Sequence, residues 1–278
     1  MSENPPAAVM PSVAILGGGV MGGTILTALK SAGWPSSQVI VAEKDTGRAA
    51  DLRESHGVVV TASATEAVDG ANIVLIAVKP QDVAATLTEI APKIDKATLV
   101  VTVAAGLPAS FYEERLAAGT RVVRTMPNTP AIVARGATAI AKGAKATDAD
   151  IQMVATMLRA TGLVVVVDES QIDAVIAVSG SGPAYFFAVV EALTEAGVAQ
   201  GLDRVLATQL AAQTFVGAAH LLAHSGETPK TLRERVSSPG GTTLAALEAM
   251  NDAGLQGAIS AGANAAARRS KEMAAELS

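Results

Sequence analysis

Residues 13–23 read VAILGGGVMGG, a short apolar run that leads directly into a glycine-rich turn. Gly17, Gly19 and Gly22 fit the spacing G-x-G-x-x-G. Between a strand and a helix, the first glycine permits a tight turn, the second lets the backbone approach a pyrophosphate, and the third lets the helix pack against the strand. The stretch therefore predicts a dinucleotide site. A glycine-rich turn without a ligand is the alternative, and the strand context makes it the less favoured interpretation.

Outward from this turn, short β-branched runs alternate with helix-like segments. The runs are VAILG, QVIVAE, NIVLIAV, TLVVTV and RVVRTM, and the helix-like segments are 20–32, 46–56, 81–91 and 108–117. This alternation is typical of βαβ units with helices on both faces of a parallel sheet. After LVVVVDES at 163–170 the strand signals stop, and only helical patterns follow.

The predicted fold class is α/β, with an N-terminal Rossmann-type doubly wound parallel sheet over 1–169 and an all-α dimerisation and substrate domain over 170–278. The helical half includes PAYFFAVVEALTEAGVA and VLATQLAAQTFVGAAHLLAH, which are apolar on nearly all sides. Helices with so little polar surface must be buried, and about a hundred residues cannot bury all of them in one small bundle. We therefore expect a homodimer in which these helices pack against their copies.

Composition excludes several classes of function. Aromatic residues make up 3% of the chain and the formal net charge is −5, so we expect no nucleic-acid partner. The apolar runs IVLIAV and LVVVV are far shorter than the roughly 20 residues that span a bilayer, and the start MSENPPAAVMPS lacks a leader pattern. We expect no membrane association. The chain has no cysteine, which excludes disulfides and thiolate chemistry and fits a cytoplasmic location.

The three histidines do not predict a metal centre. His220 and His224 stand at i, i+4, but no carboxylate or cysteine sits at a matching spacing. His56 falls at the predicted end of a helix. We therefore expect no metal.

Residues after the second strand bear on the choice of cofactor, and they conflict. Glu43 stands 21 residues after Gly22, where an acidic side chain accepts hydrogen bonds from the adenosine ribose of NAD. Lys44 and Arg48 follow it, and each is suited to the 2′-phosphate of NADP, although a solvated helix start is an equally good interpretation. We predict a modest preference for NADPH over NADH, in which Glu43 is turned aside from the cofactor. NAD remains a possible cofactor.

Three further strands end in irregular segments: AVKP at 77–80, VAAG at 103–106 and MPNTPA at 126–131. The carboxyl ends of the strands are where ligands of doubly wound sheets collect. The two prolines around Asn128 fix a loop that we expect to shape the nicotinamide pocket.

Two glycine-rich interruptions mark the helical half. VSGSGPAYFF at 178–187 begins an apolar helix, and VSSPGGTTLAAL at 236–247 separates two others. The second is read either as a helix stop with Thr242 or Thr243 capping the next helix, or as an anion site built from the amides of Gly240, Gly241 and Thr242. Neither stretch contains a strong acid or base. The reaction they would serve needs an anion cradle and a hydrogen-bond donor rather than a general base.

Together these stretches resemble the pyrroline-5-carboxylate reductase family over residues 12–275. The resemblance is carried by GGGVMGG, AVKPQDV, RTMPNTPA, AVSGSGPAYFFAVVEAL, AAQTFVGAAHLL and VSSPGGTTLAALEAM, which occur in the family's order. It implies reduction of 1-pyrroline-5-carboxylate to L-proline with NAD(P)H, the last step of proline biosynthesis. Homodimers that assemble further into decamers are also implied.

The resemblance also implies site residues. For the substrate these are Ser238, Gly240, Gly241, Thr242, Thr243, Ser181 and Glu169, with the hydroxyl of Thr243 donating to the imine nitrogen. For the cofactor they are Leu16, Gly17, Gly18, Gly19, Val20, Met21, Ala77, Val78, Lys79, Pro80, Val103, Ala104 and Ala105. The arguments from the residues themselves add Gly22, Glu43, Lys44 and Asn128 to the cofactor set. Glu43-Lys44 departs from the residues common in the family at that point, which weakens the expectation of NADPH.

Two other functions remain open. A β-hydroxyacid dehydrogenase also joins a Rossmann domain to helices, but it needs a lysine early in the helical domain, and no lysine occurs between Lys145 and Lys230. A non-catalytic dinucleotide sensor would share the whole fold. Such a sensor would bind NAD(P)H without turning over pyrroline-5-carboxylate.

Overall fold

The computed structural model describes residues 10–277, which form two compact units. The first unit contains the chain up to Gly180 and the segment from Ala266 onwards, and the second is Ser181–Ala265. The domain boundary predicted between residues 169 and 170 differs from this division in two ways. The first unit continues to Gly180, and the end of the last helix belongs to it.

The first unit is built on one eight-stranded sheet. Its strands are β1 Val13–Leu16, β2 Val39–Ala42, β3 Val59–Thr61, β4 Ile73–Ile76, β5 Leu99–Thr102, β6 Arg121–Met126, β7 Gly136–Lys142 and β8 Gly162–Val166. Their order across the sheet is β3-β2-β1-β4-β5-β6-β7-β8. This is the doubly wound arrangement, whose order reverses between β1 and β4. The predicted fold class is confirmed.

The sheet departs from the prediction at β7. The β6–β7 pair is antiparallel, with Met126 opposite Ala139, whereas the other neighbouring pairs are parallel. The connection over 127–135 is too short for the crossover that a parallel pair needs, so the chain turns back on itself. The sequence patterns did not predict β3 or β7.

Helices cover both faces of the sheet. They are α1 Val20–Ser31, α2 Thr46–His56, α3 Ala64–Val68, α4 Pro80–Ile90, α5 Ala109–Glu113, α6 Asp148–Leu158 and α7 Ile172–Val175, and a π-helical turn follows at Ile176–Gly180. Side chains alternate between the faces of β1, so Val13 and Ile15 pack with α1, α2 and α6 while Ala14 and Leu16 pack with α3, α4 and α5. This explains why β1 is apolar at every position: both of its faces are buried.

The second unit is helical. It holds α8 Gly182–Ala199, α9 Arg204–Ser225, α10 Pro229–Arg235, α11 Thr242–Asp252 and the first part of α12 Leu255–Leu277. Many large apolar side chains of α8 and α9 are exposed in the single chain: Phe186, Phe187, Val189, Leu193, Val205, Leu206, Leu210, Val216, Leu221 and Leu222. One chain therefore does not bury the helices that the sequence predicts to be buried.

Candidate functional site

The glycine turn between β1 and α1 assigns a different role to each glycine. Gly17 has φ +99°, and a Cβ there would lie 2.9 Å from the carbonyl oxygen of Ala77. A Cβ on Gly22 would lie 1.9 Å from the carbonyl oxygen of Gly17. The fold itself therefore requires these two glycines. Gly19 is different, because a Cβ there would meet no protein atom within 4 Å. Its missing side chain leaves open space, as close approach of a pyrophosphate requires.

Two uncapped helix N-termini flank the point where the strand order reverses. Gly19, which has no side chain, precedes α1, and Lys79, whose side chain makes no capping bond, precedes α4. The strand ends are drawn together because the Ala77 amide donates to the Leu16 carbonyl at 2.8 Å and the Gly17 amide donates to the Ala42 carbonyl at 2.9 Å. Free amides at the positive end of a helix suit phosphate groups. The turn therefore fits the pyrophosphate of a dinucleotide.

Glu43 lies directly after β2, and protein donors already engage its carboxylate. The carboxylate accepts hydrogen bonds from the Gly18 amide at 3.0 Å, the Asp45 amide at 2.8 Å and the Arg48 guanidinium at 2.9 Å. Burial of the side chain, which is 8% exposed, raises the pKa of Glu43, but the hydrogen bonds from Asp45, Arg48 and Gly18 together bring it below the usual value. Glu43 is therefore an ionised group that faces the glycine loop, and the expectation that it turns aside from the cofactor stays a prediction.

A pocket of about 350 Å³ opens beside Glu43. Gly17, Glu43, Lys44 and Val78 line it together with alanines at and just before the start of α3 and with one side of α4, which contributes Asp82, Ala85, Thr86 and Glu89. Lys44 and Arg48 are exposed at its rim and beside it. The pocket can accommodate an adenosine group, with two cations nearby for a phosphate.

The segment after β5 is held by its neighbours. The Val103 amide donates to the Ile76 carbonyl at 3.1 Å, and the Ala104 amide donates to the Thr102 hydroxyl at 3.2 Å. That hydroxyl also bonds the Tyr112 hydroxyl at 2.6 Å. Burial raises the pKa of Tyr112 to about 12, so the phenol stays protonated at neutral pH. This segment offers shape and backbone groups rather than an acid or base.

Asn128, after β6, uses both polar atoms of its side chain within the protein. Its Oδ1 accepts from the Ala137 amide at 2.8 Å, and its Nδ2 donates to the Ser179 carbonyl at 3.0 Å. The side chain thus joins the loop at 126–131 to the start of β7 and to the π-helical turn. The sequence predicted that Asn128 lies near the cofactor. It did not predict the bond to Ser179, because the two residues are 51 positions apart.

Glu169 lies in a short turn before α7, and its carboxylate also has protein partners. Its Oε1 accepts from the Ala109 amide at 2.6 Å and lies 3.4 Å from a nitrogen of the buried Arg124. Glu169 therefore supplies the cap that Pro108 cannot give to α5. The sequence offered no signal for the pairing with Arg124, since the two residues are 45 positions apart. A ligand contact of Glu169 stays a prediction.

In the second unit, the stretch SSPGGTT forms a turn followed by the start of α11. The Gly241 amide donates to the Ser238 carbonyl at 2.9 Å, and Gly240 has φ +70°. Proline at the second position and a left-handed glycine at the third are the signature of a type II turn. The expectation of a free amide at Gly241 is therefore corrected, because the turn uses that amide.

The start of α11 leaves several donors open. Gly241 precedes the helix and no side chain caps it. Within residues 10–277, no protein acceptor bonds the amides of Thr242 and Thr243 or the hydroxyl of Thr243. The capping role considered for Thr242 or Thr243 is therefore wrong. What remains is a short array of amides and a hydroxyl, a suitable set for a carboxylate and a neighbouring nitrogen.

Ser181 stands immediately before α8, and Pro183 occupies the first turn of that helix. The two histidines of α9 stack with ring centroids 4.0 Å apart, and His224 Nδ1 bonds the His220 carbonyl at 2.8 Å. In the described part of the chain, no three His, Asp or Glu side chains are placed to hold a metal ion.

By length and composition alone, Glu169–Ala199 and Arg204–Ser225 are long and apolar enough to cross a membrane. The core helices of a soluble protein pass the same test.

The doubly wound sheet, its glycine turn and a match of residues 12–106 to the family described as NADP oxidoreductase, coenzyme F420-dependent, define a dinucleotide-binding oxidoreductase. Residues 169–273 match the family described as pyrroline-5-carboxylate reductase dimerisation. The chain belongs to the pyrroline-5-carboxylate reductase family, as the resemblance of its motifs indicated, and it carries that family's dimerisation domain.

Individual relatives support this assignment. A pyrroline-5-carboxylate reductase of Mycobacterium tuberculosis is 44% identical, over 95% of this chain and 97% of the relative. The structure of a pyrroline-5-carboxylate reductase from Coxiella burnetii is 32% identical, with a TM-score of 0.88 over 95% of this chain and 98% of that one. A Plasmodium falciparum pyrroline carboxylate reductase with NADP bound shares the fold at 24% identity, with a TM-score of 0.84 over 96% of this chain and 100% of that one.

Proposed function

We propose that this protein reduces 1-pyrroline-5-carboxylate to L-proline with NADPH, the last step of proline biosynthesis. The observation that carries the proposal is the uncapped start of α11 after the SSPGGTT turn, in a chain 44% identical to a named reductase over nearly its whole length. That array offers donors for a carboxylate and for a ring nitrogen, and the substrate carries both.

The cofactor is proposed to lie along the carboxyl ends of β1, β4 and β5. The amides at the start of α1 would hold the pyrophosphate, and the open space at Gly19 would let it approach the backbone. Lys44 and Arg48 would meet a 2′-phosphate, because they are the exposed cations beside the Glu43 pocket. The NADP bound in the Plasmodium relative supports NADPH as the preferred form, and NADH remains a second substrate for the test.

The substrate carboxylate is proposed to bind the amides of Gly240 and Thr242, with Ser238 and Gly241 shaping the turn and Ser181 and Glu169 as further contacts. Thr243 would donate its hydroxyl to the imine nitrogen. When bound, NADPH supplies the hydride that reduces the C=N bond at C5, and the ring nitrogen takes up a proton. The chain therefore has to position two reactants and stabilise charge, which agrees with the lack of a strong acid or base in these stretches.

The protein is proposed to act as a homodimer built through α8 and α9. Their exposed phenylalanines and aliphatic side chains need a cover, and the dimerisation family spans both helices. A second copy accounts for their apolar surface without a membrane. Decamers are carried over from the family resemblance and stay a prediction. The net charge of −5 and the lack of cysteine support a cytoplasmic enzyme without a nucleic-acid partner.

The test is NADPH oxidation by the purified protein with 1-pyrroline-5-carboxylate, with proline identified as the product. We expect NADPH loss and proline formation in equal amounts, and a lower kcat/KM with NADH. Binding of NADPH without turnover would instead make the protein a dinucleotide sensor. Oxidation of 3-hydroxy acids without reduction of the imine would place it with the β-hydroxyacid dehydrogenases.

A further inference from the structure

We propose that Asn128 is a positioning residue, which fixes the π-helical turn Ile176–Gly180 by donating to a carbonyl that the sequence leaves without a helical partner. The inference rests on the proposed function for its kinetic consequence. Its structural claim stands on the contacts of the first unit alone.

The need for a donor follows from the sequence around Ser179. An α-helical carbonyl accepts from the amide four residues later, and four residues after Ser179 stands Pro183, which has no N–H. A π-helical carbonyl accepts from the amide five residues later, and that amide, of Ala184, donates to the Ser181 carbonyl at 3.0 Å instead. Asn128 supplies the missing donor, with Nδ2 3.0 Å from the Ser179 oxygen. The bond is partly buried and Asn128 is 9% exposed, so loss of this donor would leave the carbonyl poorly satisfied.

The other end of the Asn128 amide is equally fixed. Its Oδ1 accepts from the Ala137 amide at 2.8 Å, so the side chain cannot rotate without losing a second bond. The loop is pressed against the same strand, because a Cβ on Gly136 would lie 2.8 Å from Cα of Ala131. On the π-helical turn, a Cβ on Gly180 would lie 3.1 Å from Cε of Met126. Loop, strand and turn are therefore packed with little freedom, and Asn128 joins all three.

This bridge connects two stretches with different proposed tasks. The loop at 126–131 lies on the rim proposed for the cofactor, and the π-helical turn leads along the chain to Ser181, a proposed substrate contact. π-Helical turns are rare in proteins, and those that do occur are often at functional sites. The bridge therefore holds the stretch VSGSG in a fixed position relative to the sheet edge. Its loss should affect the use of 1-pyrroline-5-carboxylate more than the binding of NADPH.

The test uses Asn128→Asp, which keeps the shape and the acceptor for Ala137 but turns an oxygen towards the Ser179 carbonyl, and Asn128→Ala, which removes both bonds. Asn72→Asp is the matched control. Asn72 Oδ1 accepts from the Ser12 amide at 3.0 Å and the Ser12 hydroxyl at 3.0 Å, and an aspartate preserves both bonds. For the full-length protein and each variant we would measure kcat and KM for 1-pyrroline-5-carboxylate, the Kd of NADPH, and amide hydrogen exchange of peptides covering 172–187.

For Asn128→Asp we expect kcat/KM for 1-pyrroline-5-carboxylate to fall roughly ten- to a hundredfold, as loss of one hydrogen bond and exposure of an unpaired carbonyl imply. The Kd of NADPH should stay within about twofold. Exchange should accelerate in the peptides around 176–184 while those of β1 and β4 stay protected, and Asn72→Asp should behave as wild type in all three measurements.

Three results would overturn the proposal. One is a loss of NADPH affinity that matches the loss of turnover, which would make Asn128 a cofactor contact. Another is unchanged exchange around 176–184, which would show that the bridge does not hold the turn. The third is accelerated exchange throughout the sheet with normal turnover per folded enzyme, which would reduce Asn128 to general stability. If the wild-type protein does not reduce 1-pyrroline-5-carboxylate, the proposed function fails, and hydrogen exchange still decides the positioning role.

Discussion

The Arg48 guanidinium lies 2.9 Å from the Glu43 carboxylate, and the same carboxylate oxygen accepts the amide of Gly18 at 3.0 Å. This arrangement joins the glycine loop to the cation at the start of α2. With the amide of Asp45 on the other oxygen, three donors already occupy a carboxylate that has about four acceptor sites, so a ribose hydroxyl would compete for limited space at Glu43. Arg48 is held in place yet remains 48% exposed, so its outer face is available to an anion.

Arg48→Ala is therefore expected to raise the KM for NADPH about tenfold and to leave the KM for NADH nearly unchanged, since a charged hydrogen bond to the 2′-phosphate is lost. Lys44→Ala should act in the same direction. The melting temperature should hardly change, because an exposed ion pair contributes little to stability. Steady-state kinetics with both cofactors checks this.

Lys93→Ala is the matched control, as Lys93 is an exposed cation paired with Asp69 at 2.9 Å on another part of the same unit. The cofactor assignment would be reversed if the Lys44 and Arg48 variants used NADPH normally while Glu43→Ala lost affinity for NADH.

Gly19→Ala separates the needs of the fold from those of the cofactor. The new Cβ meets no protein atom within 4 Å and the backbone has φ −64°, so the variant should fold with a normal melting temperature. The methyl group would occupy the space proposed for the pyrophosphate, and the affinity for NADPH should fall by at least about tenfold. Binding titration and thermal unfolding of the same preparation make the comparison.

Gly23→Ala serves as the control inside the same helix, where its Cβ would lie 3.8 Å from the Gly18 carbonyl oxygen. It should bind NADPH normally and gain roughly 0.5–1 kcal/mol of stability from helix propensity. Equal NADPH affinity for the Gly19 variant and the wild type would argue against a pyrophosphate at this turn.

Thr243→Ala should reduce turnover without reducing stability. The hydroxyl bonds no described protein group, so its removal breaks nothing in the folded chain. The loss of one hydrogen bond in the transition state lowers kcat roughly ten- to a hundredfold, while Thr243→Ser retains most of the activity. Steady-state kinetics and melting temperatures of both variants distinguish a catalytic role of Thr243 from a structural one. A Thr243→Ala protein that is less stable but fully active would show a structural role only.

Phe187→Asp should dissociate the dimer. Phe187 is 66% exposed in the single chain and lines a groove of about 560 Å³ between α8 and α9, together with Val190 and Phe215. A charge buried against a second copy is strongly unfavourable. Sedimentation velocity at micromolar concentration should show a wild-type dimer and a smaller or aggregated variant.

Val59→Asp is the comparison, because Val59 is 59% exposed on β3 of the first unit and outside the dimerisation match. This variant should sediment as the wild type does. A stable folded monomer of the wild-type protein at that concentration would disprove the dimer.

The parts of the fold that local chemistry determines were predictable from sequence. The glycine turn, the alternation of β-branched runs with helices, and the end of the sheet after 163–167 each depend on residues close in the chain. β7 was missed because GATAIAK lacks a β-branched run, and the strand forms through its pairing with β6 and β8.

The bridges of the candidate site were hidden for a different reason. Asn128 with Ser179, and Arg124 with Glu169, join residues far apart in sequence, which no local pattern reveals. One signal was available: Pro183 has no N–H, so the carbonyl four residues before it cannot make the usual α-helical hydrogen bond. Glu43 and Arg48 were both recognised as candidates, yet only the structure shows that they bind one another.

The most direct test of the account is the destination of the hydride. The wild-type protein would be incubated with 1-pyrroline-5-carboxylate and NADPH carrying deuterium at the transferable C4 position, and the proline analysed by mass spectrometry and NMR. The account predicts one deuterium per proline, located at C5. Absence of proline, or proline without deuterium at C5, would contradict it.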